Sequence, residues 1–268
     1  MGDPQENVEF MTSDGLSLRG WWVEGGQATT IICLHGFLGN RCEWVPYSSR
    51  FRSLGASLLF IDHRCHGFSQ RAKCTFGIDE AIDVKAAIDY ARTRNPGGKI
   101  VLLGSSMGGT AAARAVAANP GLVDGVILDG SYANLHEAAQ GFWYVTGFKA
   151  IAVLMSPATM FGRLFLGFDL KKIDMRDTYT QMQGTPTLFL FGDTDMVVPV
   201  PSATACVEAA NGRVEWFQGC GHAQGRYQEP YRYFDAMVAF LVAHELLERP
   251  SGPIITDTVS TFSGVSSV

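Results

Sequence analysis

Five short runs in this chain are apolar almost throughout: Thr29–Leu34, Ser57–Ile61, Lys99–Leu103, Gly125–Leu128 and Thr187–Phe191. A strand with one wet face alternates polar and apolar residues. A run with no polar face is covered on both sides, which is the habit of parallel sheets between layers of helix. The segments between these runs carry helical spacing. Asp79–Arg94 sets Ala81, Ile82, Val84, Ala87, Ile88 and Ala91 mostly at intervals of three and four. Met107–Ala118 is alanine-rich and stops at Asn119-Pro120-Gly121, and Pro230–Glu248 is the last strong pattern. Val8–Met11 and Leu16–Val23 flank Ser13-Asp14-Gly15 and read as a hairpin, while Arg213–Phe217 alternates as an edge-ward strand does. Two hairpin strands followed by six more, alternating with helices, predict an α/β domain with a mostly parallel sheet.

One stretch breaks the alternation. From about His136 to Gly184 there is no convincing strand, and Phe142, Trp143, Tyr144, Phe148, Phe161, Phe165 and Phe168 make it aromatic. It is too long for a plain loop and is expected to be a small helical insertion. A membrane span is disfavoured, because Lys149 and Arg163 bound too short an apolar segment, which contains Pro157. The division expected is a domain over 1–248, with the insertion at 136–184, and a poorly ordered Ser/Thr/Gly/Pro-rich tail over 249–268.

Composition removes several classes of function. Lys+Arg 21 against Asp+Glu 26 leaves a net charge of −5, which argues against nucleic acid as a partner. With 47% hydrophobic residues the chain is no disordered segment. Six cysteines without a C-x-x-C pair fit free thiols better than a disulfide scaffold or a structural zinc site. The opening MGDPQENVEF has no basic region followed by an apolar one, so it does not read as a secretory signal, and Glu6 makes Gly2 a poor myristoylation acceptor. The expectation is a cytoplasmic protein with no metal, no cofactor, no nucleic-acid partner and no transmembrane span.

Gly104-Ser105-Ser106-Met107-Gly108 is a G-x-S-x-G motif. Its context gives it weight: it follows the run KIVLL and opens the alanine-rich helix, the strand–turn–helix setting in which a sharp turn lifts a serine Oγ above the sheet. Ser106 is the expected nucleophile. A serine needs a base, and six histidines compete. His222, in Gly219-Cys220-Gly221-His222, lies between the last strand and the last helix, at the sheet edge where open α/β folds bind ligands. His136 is second, and His244 falls on the final helix. The base needs an acid to fix its tautomer. Asp193 and Asp195 follow the run TLFLF, with Asp195 deeper in the loop, and Asp129 at the end of GVILD is a third candidate. The order Ser106, Asp195, His222 is that of an α/β nucleophile-elbow enzyme. Two backbone N–H groups must hold the oxyanion. Met107, after the nucleophile, supplies one. Phe37, in the loop Leu34-His35-Gly36-Phe37-Leu38-Gly39, is expected to supply the other, and His35 is expected to pack and hydrogen-bond there.

Together these residues resemble the α/β-hydrolase superfamily, from about Val8 to Glu248. His35-Gly36, the elbow GSSMG, the GDTD loop and the GCGH loop stand in the expected order. Asp62-His63-Arg64-Cys65-His66-Gly67-Phe68-Ser69 is similar to the D-x-R-G-H-G-x-S stretch of serine aminopeptidase-like and monoglyceride-lipase-like hydrolases, with Cys65 in place of the usual glycine. The D-H-R-x-H-G form, followed by Thr75-Phe76-Gly77 and Glu80, resembles a group of bacterial hydrolases. That stretch is expected to be a structural turn, with Asp62 and Arg64 in local hydrogen bonds, rather than a metal cluster.

The resemblance implies an α/β-hydrolase fold: an eight-stranded, mostly parallel sheet flanked by helices, with the insertion as a lid. It favours Asp195 as the acid. It implies ester hydrolysis of small hydrophobic acyl substrates, with Leu38, Phe142 and Trp143 as candidate substrate contacts and peripheral membrane contact through the lid as an option. Thioesterases, amidases or aminopeptidases, and acyltransferases share this triad and stay open. Dehalogenases and epoxide hydrolases carry aspartate where this chain has Ser106. A ligand receptor that keeps a hydrolase triad is the alternative from another class.

Overall fold

The computed structural model describes residues 5–26, 28–147, 170 and 173–248. The expected tail, the segment bounded by Lys149 and Arg163, and Phe148, Phe161, Phe165 and Phe168 lie outside the described residues.

Eight strands form one sheet: β1 Glu6–Met11, β2 Ser17–Val23, β3 Thr29–Leu34, β4 Ser57–Ile61, β5 Lys99–Ser105, β6 Gly125–Asp129, β7 Thr187–Gly192 and β8 Arg213–Phe217. Their order is β1-β2-β4-β3-β5-β6-β7-β8. Only the β1–β2 and β2–β4 pairs are antiparallel. The sheet is therefore mostly parallel, and the eight runs read from sequence are its strands. The apolar runs are buried from end to end in β3, β4, β6 and β7, while β8 is exposed at its start.

The described helices are α1 Ser48–Ser53, α2 Glu80–Arg94, α3 Met107–Ala118, α4 Leu135–Val145, α5 Arg176–Gln181, α6 Val200–Ala210, α7 Gly225–Gln228 and α8 Pro230–Ala243. Strand alternation divides the core in two. Ile32 and Leu34 of β3 join one cluster with Val84, Ile88, Ala111, Val116 and Tyr179. Ile31 and Cys33 join the other with Phe51, Phe234, Met237 and Leu241. Met175, Tyr179 and Met182 are buried in the first cluster, so the C-terminal end of the aromatic stretch packs with the sheet-covering helices.

The last helix is shorter than its pattern predicts. It ends at Ala243 rather than Glu248; Glu245 takes φ 56°, and the chain turns so that Leu246 and Leu247 enter the second cluster. Both leucines continue an apolar pattern, which is why the sequence reads as helix there.

The strand order positions the site. The chain moves from β3 to β4 on one side, then crosses to β5 on the other, so β3 and β5 are neighbours whose outgoing loops diverge. Such a switch point leaves a crevice at the C-terminal edge. Leu34 pairs with Gly104, and the loop after β3 and the turn after β5 leave the sheet at the same level.

Candidate active site

Ser106 joins β5 to α3 with φ 47° and ψ −111°. A non-glycine residue there is strained, and such strain persists only where the surroundings over-determine it. Here they do. The Ser106 N–H donates to the Asp129 carbonyl at 2.7 Å. The flanking glycines permit the close approach: a Cβ on Gly104 would stand 2.6 Å from the Gly109 nitrogen, and one on Gly108 would stand 2.5 Å from the His35 carbonyl. The turn holds the Ser106 side chain up at the N-terminus of α3, where backbone N–H groups favour negative charge.

Ser106 Oγ lies 3.0 Å from His222 Nε2, and His222 Nδ1 lies 2.8 Å from Asp195 Oδ2. Three loops, after β5, β7 and β8, thus meet in one hydrogen-bonded line. The Asp195 carboxylate is fully buried, and its other oxygen accepts the N–H groups of Val197 at 2.7 Å and Val198 at 2.9 Å. That fixes the carboxylate, and with it the tautomer of His222: Nδ1–H donates to Asp195 and Nε2 is left to accept from the serine hydroxyl.

The other candidates stand elsewhere. Asp193 accepts the Gly219 N–H at 2.6 Å at the surface. Asp129 accepts the Tyr233 hydroxyl at 2.9 Å, and burial pushes its carboxyl above the usual range, opposed by Arg226. His136 sits in the first turn of α4, where its N–H donates to Asn134 Oδ1, and His244 closes α8 against the Phe240 ring.

His35 is fully buried. Its Nδ1 donates to the Gly36 carbonyl at 2.7 Å and its Nε2 accepts the His63 N–H at 3.0 Å. The next residue, Gly36, lies against the elbow: a Cβ there would stand 3.5 Å from Ser106 Cβ. Phe37, with its N–H, therefore follows at the mouth of the crevice. Its ring packs 4.9 Å from Phe76 and 6.0 Å from Phe142, and Phe142 packs 5.7 Å from Trp143. Leu38 is 73% exposed beside them. Of the candidate substrate contacts, Phe142 and Trp143 are drawn into the aromatic wall on Phe37, and Leu38 stands free at its rim.

The Asp62–Ser69 stretch forms local bonds. Asp62 accepts the N–H groups of Arg41 and Phe68, each at 2.8 Å, and pairs with Arg41 Nε at 3.0 Å. Arg64 donates its N–H and Nε to Asp83 at 2.8 and 2.9 Å, and reaches Asp14 in the hairpin turn. Glu80 accepts the N–H groups of Thr75 and Gly77 and so shapes the loop that carries Phe76. Among the described residues no group of His, Cys, Asp or Glu side chains converges as metal ligands would, and all six cysteines are free thiols.

A buried ion cluster beneath the site escapes sequence reading. Arg226 Nη1 lies 2.6 Å from Glu43 Oε1, and its Nη2 lies 2.8 Å from Ser105 Oγ and 3.5 Å from Asp129 Oδ2. Residues 43 and 226 are 183 positions apart, and only the fold brings them together.

A family profile for the alpha/beta hydrolase fold matches residues 29–168, over half of the chain. An uncharacterized protein, YfhR, of Escherichia coli O157:H7 is 26% identical over 205 residues, which cover 72% of this chain and 64% of that protein. The match thus spans less than two thirds of that relative's length. A monoacylglycerol lipase of Mycolicibacterium smegmatis is 23% identical over 156 residues, covering 58% of this chain and 52% of the lipase. Among solved structures, an esterase of Pyrococcus furiosus superposes with a TM-score of 0.75 at 24% identity, over 90% of this chain and 91% of that one. At that identity the likeness speaks for the fold. Among the described residues no helix is long and apolar enough to cross a membrane.

Proposed function

Because this chain belongs to the alpha/beta hydrolase fold family, we propose that it is a serine hydrolase that cleaves carboxylic esters of small hydrophobic acyl groups. The observation that carries the reading is the line Ser106 Oγ–His222 Nε2–His222 Nδ1–Asp195 Oδ2, at 3.0 and 2.8 Å, on a strained turn at the head of a helix. Ser106 Oγ attacks the acyl carbon while His222 Nε2 takes its proton. Asp195 holds the ring and stabilises the imidazolium. The carbonyl oxygen becomes an oxyanion, held by the N–H groups of Phe37 and Met107. The tetrahedral adduct collapses as His222 returns the proton to the leaving alcohol. Water then enters, loses a proton to His222 and splits the acyl-enzyme, freeing the acid and Ser106.

The apolar preference rests on the wall of Phe37, Phe76, Phe142 and Trp143 beside the oxyanion loop. The monoacylglycerol lipase and the esterase to which the chain is similar agree with this in class. Six free thiols fit a reducing compartment, so the cytoplasm is where we place the enzyme.

The test is hydrolysis of p-nitrophenyl esters from acetate to palmitate, with wild type beside Ser106→Ala. Turnover in wild type with a loss of about 10⁶-fold in the variant is the expected result. A rate that survives Ser106→Ala, or a wild type inert on every ester but active on thioesters or amides, would replace the ester reading.

A further inference from the structure

The loop that carries Phe37 is not a relaxed turn. Gly39 N–H closes it onto the Gly36 carbonyl at 3.0 Å, and Leu38 within it takes φ 62°. A side chain with φ in that region is held there by its surroundings. Glu43 is what holds it. Its Oε2 accepts the Gly36 N–H at 2.8 Å from inside the turn. A Cβ on Gly39 would stand 2.7 Å from the same oxygen, so the carboxylate fills the concave side that glycine leaves open.

The other oxygen of Glu43 meets Arg226. That guanidinium is buried, its carbon 4.8 Å from the centre of the Trp44 ring and 5.5 Å from that of Tyr227, and two further contacts reach the loops of the site. Nη2 reaches Ser105 Oγ, next to the nucleophile, and Nε donates to the Ala223 carbonyl at 3.1 Å, next to the base. One planar cation therefore ties the elbow, the base loop and, through Glu43, the oxyanion loop. A buried ion pair adds little to stability over a well-packed apolar replacement. Its fixed fork does specify geometry.

We propose that Glu43 and Arg226 are positioning residues that set the Phe37 N–H against Ser106 and His222. The proposal rests on the ester-hydrolase reading above for its kinetic expression, while its structural content, the loop held through Gly36, does not.

Glu43→Gln is the sharpest variant. Both partners of the carboxylate are donors, and an amide has only one acceptor oxygen, so either Gly36 N–H or Arg226 loses its bond. Arg226 keeps Asp129 as a counter-charge at 3.5 Å, so the variant leaves no lone buried cation. Gly39→Ala is the second variant: it changes no charge but pushes the carboxylate off Gly36. Three readouts are taken on wild type, Ser106→Ala and both variants: kcat and KM on the best ester, the rate at which a fluorophosphonate labels Ser106, and hydrogen exchange of the Gly36 amide.

The expected result is a fall in kcat and labelling rate of about 10²-fold in Glu43→Gln and about tenfold in Gly39→Ala, with KM within about threefold and faster exchange at Gly36. Wild-type kcat and labelling in folded variants, or a rise in KM at constant kcat, would overturn it. If Glu43→Gln does not fold, Gly39→Ala decides by the same readouts. If wild type neither hydrolyses an ester nor takes the label, the hydrolase reading fails, and the loop assignment stands or falls on exchange alone. Unchanged protection of Gly36 in the variants would overturn it.

Discussion

Two groups of histidine and carboxylate stand at the C-terminal edge of the same sheet. One is His222 with Asp195 and Ser106; the other is His35 with His63, His66, Asp62 and Asp83, its rings 4.9 Å apart. The residue types are nearly the same, and their uses are opposite. In the first group the acid spends one oxygen on backbone N–H groups and the other on the ring, and the His222 side chain is 21% exposed with Nε2 facing a hydroxyl. In the second, both oxygens of Asp62 go to backbone N–H groups and Arg41, and both nitrogens of His35 go to backbone groups. Proton transfer needs a ring nitrogen whose partner reacts. Where both ring nitrogens are held by main chain, as at His35, the same residue type builds a turn.

The contrast breaks first at the acid. Asp195→Asn keeps the shape but lets the ring adopt the wrong tautomer, and is expected to lower kcat about 10⁴-fold. Asp193→Asn, which keeps an acceptor for the Gly219 N–H, is expected to stay within a few-fold of wild type. Ester kinetics on both variants check this. A large loss in Asp193→Asn with Asp195→Asn near wild type would exchange their roles.

The second break is Asp62→Asn. The carboxylate is fully buried, and its partner Arg41 is 8% exposed. Removing the charge leaves Arg41 buried without its counter-ion and faces an amide NH₂ toward a backbone donor. Breaking such a pair costs about 3–5 kcal/mol, a fall in melting temperature of about 6–20 °C for a domain of this size. Thermal unfolding measures it, and kcat per folded molecule is expected to stay within about tenfold. A variant that melts like wild type but loses turnover as Asp195→Asn does would place Asp62 in the chemistry.

The difference between the two groups was partly legible before any fold was known. Ser106 stands at a junction between an apolar run and a helix, and His222 between the last strand and the last helix; a junction is a local feature. The same locality made the strands readable, because burial on both faces removes the polar positions that blur a pattern. What was not legible depends on distance or on weak periodicity. Arg226 and Glu43 are ordinary charges until the fold brings the base loop and the oxyanion loop within ion-pair distance. Helix α6 opens on Pro199-Val200-Pro201 and buries only Ala203, Cys206 and Ala210, too small a stripe to predict. The shortened α8 shows the reverse error: Leu246 and Leu247 extend the apolar pattern, but they reach the core by leaving the helix.

The smallest effect concerns His35, and it separates the two groups by pH rather than by rate. Burial, with His63 and His66 adding to it, holds the His35 imidazole well below its ordinary value of 6.5, against the Gly36 carbonyl, which favours the cation. The geometry gives the same answer: Nε2 accepts a backbone N–H, so a second ring proton would set donor against donor. The unfolded chain takes up that proton below about pH 6.5 and the folded chain does not. The stabilisation from a neutral His35 is therefore complete above pH 6.5 and is lost as pH falls below it, by up to about 1.4 kcal/mol per pH unit, or about 4 °C of melting temperature. His35→Gln offers a donor and an acceptor that do not titrate. It is expected to melt lower than wild type at pH 8, yet to lose less on going from pH 6.5 to 5, where most carboxylates are still ionised. Unfolding scans across that window measure the two slopes. Parallel profiles would mean that the folded chain accepts the proton on His35, and that this histidine is less firmly committed to the turn than its two backbone bonds require.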